Sequence, residues 1–192
     1  MEGGKKTSKQ ANKKNNKNKK QDFGIKGAKA ISDAIRVNKA LHTLYVSENN
    51  LGGEGVKIIV EAIPSNDKLK VLDMTSTEMG DEGAIALASA LEQNNTLQQV
   101  FVIRDKIGPE GAKAIAKALL KNRGVRSLCM DYNDIRDEGA RPFMMVLREN
   151  DVIEKIDFDD KSISEEWKKE FRTRLARKLE NRIASSTPSE EK

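Results

Sequence analysis

Glycine-bearing runs are where this sequence comes nearest to chemistry. GGEG, GDEG, GPEG and RDEG begin at residues 52, 80, 108 and 136, and GIKG at residue 24 belongs with them. A glycine turn opening a helix can cradle phosphate. That use needs Lys-Ser or Lys-Thr after the last glycine, or Gly-x-Gly-x-x-Gly after a strand, and none of the five runs has either. Nucleophilic catalysis finds no better footing. Cys129 is the only cysteine and His42 the only histidine, and a thiol far from any base is a poor nucleophile. His42 directly follows Leu41, in a position that should face solvent. Asp157, Asp159 and Asp160 in KIDFDDKS are the densest carboxylate group, but the glycine turn and distal glutamate of a calcium loop are missing. They read as a solvated strand end. No catalytic residue, metal ligand or cofactor is assigned, and a non-enzyme is expected.

The spacing of the same glycines says what they are for. Gly27, Gly55, Gly83, Gly111 and Gly139 recur every 28 residues, and Asn38, Asn66, Asn94, Asn122 and Asn150 keep the same step. A fixed period in this range marks a stacked-repeat architecture, so the glycine is a structural hinge. Five units fit without a gap: 24–51, 52–79, 80–107, 108–135 and 136–163. After each glycine the apolar residues fall at i, i+3 and i+7, as in Ala84, Leu87 and Leu91 or Ala112, Ile115 and Leu119, which places them on one helix face. The asparagine follows the last of them. It suits a helix-ending position because Asn tolerates the left-handed conformation.

The second half of each unit changes period. Leu69, Leu72 and Met74, and then Leu97, Val100 and Val102, follow L-x-x-L-x-L, a strand with inward residues at alternate positions. A single aliphatic closes each unit: Leu51, Met79, Ile107, Ile135 and Ile163. Together these features resemble the leucine-rich repeat in its helix-bearing, ribonuclease-inhibitor-like subclass. The resemblance implies an α/β right-handed solenoid, a horseshoe with a parallel sheet on the concave face and helices on the convex face. That family's asparagine, three residues after the last strand leucine, survives as Asn49 and Asn133. Thr77, Asp105 and Lys161 stand elsewhere, which implies a weakened buried amide ladder and looser turns. Beyond the repeats, SISEEWKKEFRTRLARKLENRI offers Ser162 and Glu165 as a capping box and a stripe of Trp167, Phe171, Leu175 and Leu179. A capping helix over 164–184 covers the open end of the stack; its polar side is basic, with Lys168, Lys169, Arg172 and Arg174.

Charge is unevenly spread. Residues 1–20 hold eight Lys and one Glu of a chain whose net charge is +5, so residues 21–192 carry −2. Residues 1–22 form a Lys/Asn-rich tail expected to be disordered, as are 185–192; the repeats occupy 23–163. Such a tail makes weak RNA or ribosome contact through counterion release a further reading. No run long and apolar enough for a membrane span is present. One cysteine fits a reducing cytoplasmic or nuclear setting. The binding surface is expected on the concave face, from the outward strand positions Tyr45, Val71, Asp73, Phe101, Ile103 and Asp131, with Tyr132 flanking them and Arg104 nearby. Apolar residues there, rimmed by polar groups, mark a protein-binding patch. Five repeats closed by one long basic helix also look like the C-terminal domain of tropomodulin and leiomodin, a likeness carried mostly by MMVLRENDVIEKIDFDDKSISEEWKKEFRTRLARKLENRI. That resemblance implies actin as the partner, bound at filament pointed ends. The helices that precede this domain in the family are not expected here, since a Lys/Asn-rich tail precedes the repeats in this sequence.

Overall fold

The computed structural model describes residues 23–159 and 161–186. Five turns of chain each contribute a helix and a three-residue strand. Helices α1 (Gly24–Val37), α2 (Gly52–Val60), α3 (Gly80–Gln93) and α4 (Pro109–Lys121) alternate with strands β1 (Thr43–Tyr45), β2 (Val71–Asp73), β3 (Gln99–Phe101) and β4 (Ser127–Cys129). The fifth unit splits its helix into α5 (Arg136–Ala140) and α6 (Phe143–Glu149) before β5 (Lys155–Asp157), and α7 (Glu165–Ser186) ends the described chain. All strands are parallel, in the order β1-β2-β3-β4-β5, and every register pair is separated by 28 residues, as in Leu72↔Val100 and Val100↔Leu128. Strands stack about 4.8 Å apart whereas packed helices need about 8–10 Å. A sheet backed by helices at one per strand must therefore curve with its strands inside.

The core lies between the two layers. Leu72, Met74, Val100, Val102, Leu128 and Met130 are fully buried from the strand side, and Ile59, Leu87, Ile115 and Phe143 meet them from the helices. In the first unit, Ile31, Leu41 and Leu44 are only partly covered, because among the described residues no earlier unit packs on them. At the other end α7 closes the stack through rings. Phe158 meets Phe143, Trp167 and Phe171 edge-on at 4.9, 5.5 and 5.3 Å, and Trp167 stacks on Phe171 at 4.9 Å. Edge-to-face pairs of this kind add about 0.5–1.5 kcal/mol each beyond area burial.

The recurring asparagine does something other than end a helix in the left-handed region. Asn94 and Asn122 are extended, with φ −127° and −66°, and their side chains are buried crosslinks. Asn122 Nδ2 donates to Leu91 O and Asn94 O of the preceding unit, while its Oδ1 accepts from the N–H groups of Gly124 and Val125. Asn66, Asn94 and Asn150 repeat the pattern. The family-position ladder is kept only in part in the middle units. Thr77 donates its N–H and hydroxyl to Asp105 Oδ1, and Asn133 Oδ1 accepts from Asp105 N and Ile107 N. The ladder keeps the bonds its oxygens accept, but the Asp105 side chain has no N–H to match the donations of Asn133 Nδ2 to Val102 O and Met130 O, and its Oδ2 has no partner among the described residues.

The repeated glycine is a point of close approach inside the first turn of each helix, and the hinge lies upstream of it. A Cβ on Gly139 would stand 2.7 Å from Pro109 Cα of the neighbouring unit, nearer than real contacts allow. The helices of the second and fifth units are interrupted for a simple reason: Pro64 and Pro142 have no N–H for the helical ladder. A short 3-10 turn at Ile63–Ser65 follows α2, and a turn at residues 141–142 separates α5 from α6. The capping helix starts one residue later than expected and runs two further. Its start is Ser164, whose hydroxyl accepts from Trp167 N at 3.3 Å, and not Ser162, whose hydroxyl accepts from Arg136 N at 2.8 Å.

Candidate interaction site on the strand face

In-register parallel pairing turns outward side chains into rows across the sheet. Thr43, Val71, Gln99, Ser127 and Lys155 make one row; Tyr45, Asp73, Phe101, Cys129 and Asp157 make the next. Phe101 is therefore directly opposed to Asp73 and Cys129, and Val71 to Thr43 and Gln99. The expected patch of Val71, Phe101 and Ile103 is a diagonal of half-buried groups and not a straight apolar stripe. The aromatic exposure lies at its flanks, where Tyr45 is 71% and Tyr132 51% exposed.

The first four strands each run into a tight turn that holds a residue at positive φ, Glu48, Ser76, Arg104 and Tyr132, at 59°, 60°, 57° and 58°. After β2 and β3, Glu78 and Lys106 follow at 62° and 59°. This left-handed turn places equivalent side chains from adjacent units beside one another on the rim. The Arg104 guanidinium lies 4.9 Å from the centre of the Tyr132 ring, a cation–π contact. A hydrogen bond to Asp159 and the charge of that carboxylate hold the Tyr132 phenol above its ordinary pKa. The sequence placed both residues near the patch; the turn conformation explains why they touch.

At the β4–β5 end the face becomes acidic. Cys129 Sγ donates to Asp131 Oδ2 at 3.2 Å, Asp131 Oδ1 accepts from Asp159 N at 2.6 Å, and Lys155 pairs with Asp157 at 2.8 Å. Burial and the Asp131 bond push the thiol up to about 12. The donor atoms of Cys129, Asp131 and Asp157 lie within 4.8 Å of one another, a grouping the sequence reading missed. The 28-residue step from 129 to 157 was the available signal. As it stands, the thiol keeps its proton and Lys155 already answers one carboxylate. His42 is exposed on the strand edge, and Asp160 lies outside the described residues.

The cap helix is less uniformly basic on its surface than its sequence implies. Lys168 is 6% exposed and pairs with Glu165, so it belongs to the packed side of α7; Lys169, Arg172 and Arg174 remain exposed. No described helix is long and apolar enough to cross a membrane. The Lys/Asn tail lies outside the described residues.

Segments 37–60, 65–88 and 121–144 match the family described as Leucine Rich repeat. The chain folds as a leucine-rich repeat solenoid. It has an open five-stranded parallel sheet and a helical outer layer. Two of the solved structures that share the arrangement are these. One is titled Leiomodin-1 Actin-Binding Site 2 (18% identity, TM-score 0.71, covering 81% of this chain and 91% of the other). The second is the tropomodulin C-terminal domain of Caenorhabditis elegans (15% identity, TM-score 0.70, covering 82% of this chain and 96% of the other). No curated protein sequence matches. The solenoid and its likeness to the tropomodulin and leiomodin domains, expected from the repeats, are borne out.

Proposed function

We propose that this chain is a non-catalytic protein-interaction module that binds its partner across the strand face and the left-handed turns above it. One observation carries the reading: Tyr45, Tyr132 and Arg104 stand at the flanks of a diagonal of Val71, Phe101 and Ile103, all on one surface held by in-register pairing. Aromatic and Arg anchors around a partly shielded apolar centre are the composition of interface hot spots. A proton-retaining thiol and an ion-paired carboxylate supply no nucleophile there. The test is F101A/I103A. Partner capture should fall to background while the melting temperature drops by only a few degrees; capture equal to the wild type would remove the strand face from consideration.

Actin is the first partner to try. The supporting observation is the fold shared with a leiomodin domain titled an actin-binding site, together with a closing helix whose exposed side carries Lys169, Arg172 and Arg174. Under this reading the chain slows subunit exchange at filament pointed ends or seeds new filaments. Co-sedimentation with filaments and a pyrene-actin pointed-end assay decide the matter: no effect at micromolar protein ends the actin reading and leaves the strand-face reading standing.

A further inference from the structure

Away from the strand face, the helix layer contains a groove that the readings above do not use. It lies between α4, the broken α5–α6 segment and α7, and encloses about 990 Å³. Its apolar floor includes Leu120, Pro142, Met144, Met145 and Leu147. Met145 is 46% exposed there, an unusual place for a large thioether without a partner. The break at Pro142 opens the groove, since a continuous fifth helix would carry its side chains along the same line as its neighbours.

The walls are cationic. Lys113 and Lys117 stand one turn apart on α4; Arg174 and Lys178 stand one turn apart on α7, with Arg177 beside them and Arg141 between the two helices. No carboxylate lines the groove. Some of these cations are answered from outside it: Lys113 by Glu110 and Glu138, and Arg174 by Glu170. Lys117, Arg141 and Arg177 form no ion pair with a described carboxylate. Lys178 donates to Asn150 O, and burial, together with neighbouring Arg182, holds its pKa below the ordinary lysine value. A concentration of like charge around an apolar floor is costly unless something of opposite sign joins it.

We infer that this groove receives an acidic amphipathic helix of a partner protein, its apolar stripe on the methionine floor and its carboxylates between the two basic rails. Three features select that occupant. The rails repeat at one helical turn, the step at which Glu residues recur on one face of a helix. Unbranched thioethers adapt to the leucine and isoleucine anchors of such helices. The surface is concave and contains no aromatic ring, whereas bilayers favour projecting apolar groups and single-stranded nucleic acid favours stacking platforms.

The probe is a fluorescein-labelled peptide of repeated Leu-Glu-Glu-Leu-Leu-Glu-Glu units, titrated with the full chain by anisotropy. Saturable binding is expected. K117E/R177E should weaken it by about tenfold or more, as loss of two charge pairs at an interface does, with Trp167 fluorescence and the melting temperature unchanged. Peptides with Gln for Glu, or Ala for Leu, should each bind at least about tenfold more weakly. The Ala peptide also separates the groove from the Lys-rich tail, which would attract glutamates whether or not leucines accompany them. Equal binding of all three peptides, or by K117E/R177E and the wild type, overturns the assignment. So does displacement of the peptide by phosphatidylserine vesicles or single-stranded RNA at a lower concentration than by unlabelled peptide.

Discussion

Asp105 has a fully buried carboxylate in which Oδ1 takes two bonds from Thr77 and Oδ2 has no partner among the described residues. Desolvation outweighs those bonds and raises its pKa to about 6. Between about pH 4 and 6 the folded chain thus holds a proton that the unfolded chain, with an ordinary carboxyl, has released. Asp105 favours folding below about pH 4, and this advantage is lost as pH rises through about 6. Asp105→Asn should therefore raise stability at neutral pH, by about 1–3 kcal/mol, with the gap closing in acid; urea unfolding of both proteins across that pH range measures it. A second residue stands against its backbone. Arg136 has φ 57° where Gly52 and Gly80 have 63° and 57° in equivalent positions. A left-handed non-glycine residue is strained by about 1 kcal/mol, and its ion pair with Asp134 is exposed. Arg136→Gly should stabilise by about 1 kcal/mol in the same assay. The departure from glycine at residue 136 is visible in the sequence. The buried fate of Asp105 is not, because a single Asp at an asparagine position does not say whether its second oxygen finds a donor.

The buried asparagine ties each helix–strand corner to the previous one, so its loss is felt in two units. Asn122→Ala strands Leu91 O, Asn94 O, Gly124 N and Val125 N, and at about 1–3 kcal/mol per orphaned group unfolding should be easier by at least about 3 kcal/mol. Asn122→Asp should be nearly as damaging, since it keeps the acceptor, loses both donations and buries a charge. At the far end, Phe171→Ala empties the ring cluster that seals the fifth unit, a loss of about 3–5 kcal/mol that Trp167 emission will report directly. Periodicity made these elements readable. The i, i+3, i+7 trios, the L-x-x-L-x-L strands and the Trp167–Phe171–Leu175 stripe all fall where spacing places them. Polar detail was harder to read. The recurring Asn gave its position but not its conformation, because the bonds that hold it extended come from a residue 28 or 31 positions earlier. Ser162 and Ser164 compete for the same cap, and only the reach of Asp137 to Ser164 N and Oγ decides between them.

One 28-residue unit, stacked five times, produces a molecule with two unlike outer surfaces. The strand layer displays rows of side chains fixed by register, half-apolar in the middle and acidic toward β5; the helix layer displays a cationic groove beside the cap. Outward strand positions were legible from the repeat alone, and so was the order of the strands. The diagonal offset of Phe101 from Val71, the contact of Arg104 with Tyr132 and the burial of Lys168 depend on turn geometry and packing between units, which no single repeat encodes. The groove depends on Pro142 interrupting one helix just where another crosses the end of the stack. The direct test of the strand face is photo-crosslinking with a benzophenone side chain placed at Tyr45, at Tyr132 or, on the exposed side of α3, at Ile85. We predict adducts with the same partner from positions 45 and 132 and none with that partner from position 85. Adducts from Ile85 alone would contradict the assignment of the partner to the strand face.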